Sequence, residues 1–126
     1  MDNLKWWAEL HTDFLHSAEV GGLPVMTSPL FWQDGHSKPA PLGPKKIARQ
    51  LVYVHQSFDV IMPQDGLGWG TMQLGKNVEY WKALRDELTR VGSKAELWQN
   101  SDLFDFSANG PAGPGDIQKR MLSTRM

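Results

Sequence analysis

Two short polar runs in this chain have the residue types and setting that acid–base chemistry needs. Gln64-Asp65 ends the run Phe58-Asp59-Val60-Ile61-Met62-Pro63-Gln64-Asp65-Gly66, and Asn100-Ser101-Asp102 ends Ala95-Glu96-Leu97-Trp98. Each follows an apolar segment short enough to be a buried strand, and Asp65-Gly66 marks a turn, because glycine reaches backbone angles that strain other residues. A third segment, Leu23-Pro24-Val25-Met26-Thr27, runs into Ser28-Pro29-Leu30-Phe31-Trp32. In a parallel sheet the strands' C-terminal ends form one rim, where ligands are met. Carboxylates beside flat aromatic rings suit carbohydrate: the acids handle protons or an oxocarbenium centre, and the rings pack on the apolar faces of sugars. Trp32, Trp69 and Trp98 are placed for that role. The competing reading is local, with Asp65 and Asp102 capping the turns that follow them.

The other constellations are weaker. His11 and His16 are five apart on one predicted helix and so point to different faces; His36 lies in a loop and His55 on a helix. None has the partner spacing of a zinc site, so solvated or core histidines are expected, with no metal and no cofactor. Gly66-Leu67-Gly68-Trp69-Gly70 follows a strand but lacks the spacing of a dinucleotide loop and the lysine of a phosphate loop.

The elements that must position these residues follow from periodicity. Leu4, Trp7, Leu10, Phe14 and Ala18 predict a helix over 4–20, stopped by Gly21-Gly22. Pro44 suits the first turn of a second helix, with Ile47, Ala48, Leu51, Val52 and His55 on one stripe. A third helix spans about 77–91 on Val78, Trp81, Leu84, Leu88 and Val91, ended by Gly92. Trp7 and Trp81 fall on these stripes and are expected in the core. Residues 33–44, with Pro39, Pro41 and Pro44, read as a long loop, and 107–115 as a Gly/Pro loop before a short helix from Asp116.

The resulting order α-β-α-β-α-β-α is the rhythm of a parallel sheet with helical crossovers. At 126 residues the chain reads as one domain, about half the roughly 250 residues of a complete (β/α)8 barrel. The near balance of 13 basic and 14 acidic residues argues against nucleic acid or an anionic membrane as partner. No cysteine is present, which excludes disulfides and thiolate chemistry. With no membrane-spanning run and no signal-peptide core, the chain as read is expected to be soluble and cytoplasmic.

Three runs, Ser28-Pro29-Leu30-Phe31, Asp59 to Gly68 with its Gln-Asp-Gly-x-Gly, and Trp98-Gln99-Asn100-Ser101-Asp102-Leu103-Phe104, resemble the later half of the DUF4434-type family of glycosidase-like TIM barrels. In that family successive strands end in Ser-Pro-aromatic, Gln-Asp-Gly and Trp-x-Asn-x-Glu-x-Phe elements, and the likeness covers about residues 23–106. The resemblance implies a part-barrel of three βα units, with Asp65 and Asp102 as the acidic pair and Gln64 and Asn100 as hydrogen-bonders to a sugar. Asp102 stands where the family has Glu, so its carboxylate is retracted by one methylene. A three-stranded sheet also has open edges, so self-association into a dimer or higher even oligomer is expected, with sheet edges or the inner sheet face in the interface. A non-catalytic assembly module is the alternative to an enzyme.

Overall fold

The computed structural model describes residues 2–17, 20–29, 43–64, 66, 74–101, 104–105 and 110–122. Among them are α1 (Asp2–Leu15), β1 (Met26–Thr27), α2 (Pro44–His55), β2 (Val60–Ile61), α3 (Lys76–Arg90), β3 (Glu96–Leu97), β4 (Phe104–Asp105), β5 (Gly110–Pro111) and α4 (Pro114–Leu122). The fold is mixed α/β. β1, β2 and β3 form a parallel sheet in that order, with Met26 opposite Val60 and Val60 opposite Glu96.

The strands are shorter than the apolar runs that predict them. Pro24, Pro29 and Pro63 bracket β1 and β2, and proline has no N–H to give to a ladder. Backbone bonds nonetheless extend the pairing. Met62 N donates to Thr27 O at 2.8 Å, Gln64 N to Pro29 O at 3.0 Å, and Trp98 N to Ile61 O at 3.0 Å. At the other end the Asp59 carboxylate accepts from Val25 N at 2.7 Å. The Gly/Pro segment read as a loop contains β5, which pairs antiparallel with β4 through Phe104–Pro111 and Asp105–Gly110. Two-residue strands leave too short an alternation for periodicity to register.

α2 and α3 cover one face of the sheet. Ala48 and Val52 meet Tyr80, Trp81, Leu84 and Leu88 over Ile61, and Leu97 and Leu51 pack around them. Because strand side chains alternate between faces, the row Thr27–Ile61–Leu97 points to these helices. The row Met26–Val60–Glu96 lies on the other face, where Met26 and Glu96 are exposed.

α3 stops as Gly92 predicts. Gly92 takes φ +67°, its N–H bonds to Thr89 O at 3.1 Å, and Ser93 N bonds to Leu88 O at 3.0 Å. This pair of bonds satisfies two carbonyls that a helix end leaves without partners. Near that end the buried Glu87 receives a two-pronged bond from Arg90, at 2.6 and 2.8 Å, which holds its carboxyl below the usual range.

α1 departs from its reading. It ends at Leu15, and Trp7, Leu10 and Phe14 are about half exposed, whereas Trp81 is buried as its stripe predicts. The reason is geometric: α1 makes its main helix contact with α2 alone, whereas α3 lies against both α2 and the sheet. A helix with one neighbour can bury only one side of an apolar stripe. Among the described residues no helix is long and apolar enough to cross a membrane.

Candidate functional site

The rim past the C-terminal ends of β1–β3 is drawn together by side chains. Gln64 and Asn100 pair as parallel partners, continuing the ladder three residues beyond β2 and β3. The Ser28 hydroxyl donates to Met62 O at 2.9 Å and accepts from Asn100 Nδ2 at 3.4 Å. Ser28 follows β1 and Asn100 follows β3, so these two side chains meet over the end of the middle strand. Counting in twos from the exposed row, Ser28, Met62, Gln64, Trp98 and Asn100 all belong to the face that α2 and α3 leave uncovered.

On that face Trp98 is 50% exposed, and its Nε1–H donates to the Glu96 carboxylate at 2.8 Å. The two are separated by one residue along β3 and so share a side. The bond fixes the indole while leaving half its surface to solvent. Behind the rim, Gln99 Nε2 donates to Arg120 O at 3.0 Å and to the Ser101 hydroxyl, fastening β3's end to α4. Of the sequence-predicted residues, Gln64 and Asn100 are paired, and Trp98 lies on the same face by strand alternation. Asp65, Asp102, Trp32 and Trp69 lie outside the described residues. Sequence reasoning missed Ser28 and Glu96; the i,i+2 spacing of Glu96 and Trp98 on a strand was the available signal for the latter.

A second cluster lies on the helix side. The rings of His11 and His55 sit 5.1 Å apart, and Phe58 stands 5.2 Å and 5.8 Å from them. His11 Nδ1 donates to Val54 O at 3.2 Å, and His55 Nδ1 shares a 3.2 Å hydrogen bond with the Thr27 hydroxyl. Burial, and then the nearby His11, push the His55 pKa from 6.5 down to about 4. The imidazole is therefore neutral at physiological pH, and the pair fastens α1 to α2 and β1. The sequence predicts solvated or core histidines, and His11 and His55 are partly buried while His16 is exposed; the meeting of two of them across two helices is not readable from spacing within one. Among the described residues, no group of three or more His, Asp or Glu side chains is close enough to hold a metal.

No family model, curated protein or solved structure matches this chain.

Proposed function

We propose that the chain is a three-strand sector of a (β/α)8-type barrel that binds carbohydrate on the uncovered face and C-terminal rim of its sheet. The observation that carries this reading is the Ser28–Asn100 contact over the end of β2. In barrels of this kind, inward-facing side chains from alternate strands meet in layers, and β1 and β3 are alternate strands. The resemblance of the three strand-end runs to a glycosidase-like barrel family points the same way.

The rim offers what a sugar requires. Gln64, Asn100 and Ser28 supply amide and hydroxyl groups that both donate and accept, matching a ligand whose hydroxyls do the same. Trp98 supplies a half-open aromatic face held in one orientation. Asp65 follows Gln64 directly, and Asp102 comes two residues after Asn100. As an acid pair they fit hydrolysis if their carboxyl groups stand about 5–5.5 Å apart for retention or about 6.5–9.5 Å for inversion.

Isothermal titration calorimetry with hexasaccharides of glucose, xylose, mannose and N-acetylglucosamine tests the reading. Binding of at least one, lost in Trp98→Ala and Asn100→Ala, is expected. Binding that survives both substitutions places the sugar elsewhere. Asp65→Asn then separates chemistry from scaffolding, because it removes turnover and leaves the melting temperature nearly unchanged if Asp65 is catalytic. A fall of many degrees with binding intact makes it a turn residue.

Met26 favours a second reading, a non-catalytic module that assembles through the same face. It is 50% exposed on β1, at the edge of the described sheet, and lies on the face opposite α2 and α3. A second copy closing over that face would bury it. Met26→Glu then dissociates the assembly and leaves the fold intact.

A further inference from the structure

The contact that docks α1 on α2 holds two imidazoles face to face. The rings of His11 and His55 have centroids 5.1 Å apart and planes tilted by 34°, and both side chains are partly buried. Among the described residues, the hollow they share is otherwise lined by Leu4, Trp7, Ile47, Gln50, Leu51 and Val54, none of them charged. β1 presents the Thr27 hydroxyl to His55, and the turn before β2 presents the Phe58 ring to both histidines. Charged residues of the same elements line other hollows. Asp59 lies beside His16 and accepts from Val25 N. Lys5, Glu9 and Asp13 of α1 lie with Tyr53, and Lys45, Lys46 and Arg49 of α2 face the groove toward α3.

We propose that this histidine pair is an acid-operated latch, which releases α1 from α2 between pH 7 and pH 5 while the sheet and α3 stay folded. Neither hydrogen bond of the pair is what acid breaks. A protonated His11 still donates to Val54 O, and a protonated His55 still donates to the Thr27 hydroxyl. The end of α2 favours one positive charge, because its last carbonyls lack partners within the helix. A second charge 5.1 Å from the first, in a partly buried apolar setting, is repelled, and no carboxylate among the lining residues offsets it. Burial, and then the adjacent His11, hold the docked His55 down at about 4, so the released form takes up the proton more readily than the docked one. α1 is also the helix least able to resist. Trp7, Leu10 and Phe14 are about half exposed, α2 is its main helix neighbour, and 14 residues alone make a marginal helix in water. Local opening is drawn from elements of this kind. Release uncovers Ile47 and Val54 on α2 and Leu4 on α1, an apolar surface that exists only in acid.

The latch does not rest on the carbohydrate reading. Hydrogen–deuterium exchange of the full chain at pH 7, 6 and 5, corrected for the intrinsic pH dependence of exchange, tests it. From pH 7 to pH 5 the amides of residues 6–15 are expected to lose protection about tenfold, while those of α3 keep theirs. His55→Gln should hold α1's protection to within about twofold over that range. His11→Gln removes the repulsion and leaves the burial of His55, so it should shrink the loss without abolishing it. In the parent chain, the His55 ring protons followed by NMR should titrate below the ordinary 6.5, a result that needs no variant to fold. Four results overturn the proposal: equal protection of α1 at pH 7 and pH 5; loss of protection in α1 and α3 together; an undiminished loss in His55→Gln; or a His55 titration at its ordinary value.

Discussion

His55 shows how much one side chain decides without belonging to the rim. Its folded pKa of about 4 lies below the 6.5 of the free side chain. Between those values the unfolded chain holds a proton that the folded chain does not, so stability falls as pH drops through that window. The cost is of order 2 kcal/mol by the acid end, after allowance for the ring's partial exposure. The melting temperature should drop on going from pH 7 to pH 5, and His55→Gln should flatten that slope; an unchanged slope assigns the acid sensitivity to other groups. At the rim, Trp98→Ala should shift the melting temperature little, because half of the ring is already in water. The position of Gln64 and Asn100 past the ends of β2 and β3 was legible because each opens a polar run directly after a short apolar one. Ser28 was quoted only as part of a Ser-Pro motif, since what gives it a role is a contact with a residue 72 positions away.

At the scale of elements, α3 was the most readable. Its stripe has two surfaces to face, α2 and the sheet, and Gly92 supplies the positive φ that its terminus requires. Trp81→Ala should cost about 3–5 kcal/mol by emptying the space between those surfaces. Gly92→Ala should cost about 1 kcal/mol through backbone strain alone, since a Cβ there meets nothing within 4 Å. Chemical denaturation should show both losses, with an unchanged denaturant slope for Gly92→Ala. α1 was misread for the converse reason: periodicity locates an apolar face and does not say whether a neighbour exists to cover it. β1, β2 and β3 were found in the right order, and β1 and β2 were drawn too long because the prolines that flank them were weighed less than the apolar residues inside; β4 and β5 were not found.

Among the described residues, the parallel sheet carries α2 and α3 on one face and the row Met26–Val60–Glu96 on the other, with the β4–β5 pair and α4 following it in the chain. A second copy closing over Met26 would cover the row that leads to Trp98, so Met26→Glu should give a monomer with an unchanged circular dichroism spectrum and undiminished carbohydrate affinity. A loss of affinity on dissociation would instead make the rim site depend on both copies.

If Trp98, Gln64 and Asn100 form one ligand surface, two-dimensional ¹H–¹⁵N NMR during titration with the four hexasaccharides reads it at each side chain. The indole signal of Trp98 is assigned by its disappearance in Trp98→Phe. Saturable shifts of the Trp98 indole and of the Gln64 and Asn100 side-chain amides are expected with at least one sugar, while the buried Trp81 indole stays in place. If all four sugars leave those three signals unmoved at millimolar concentration, or move only the Trp6 and Trp7 indoles, the rim is not a carbohydrate site.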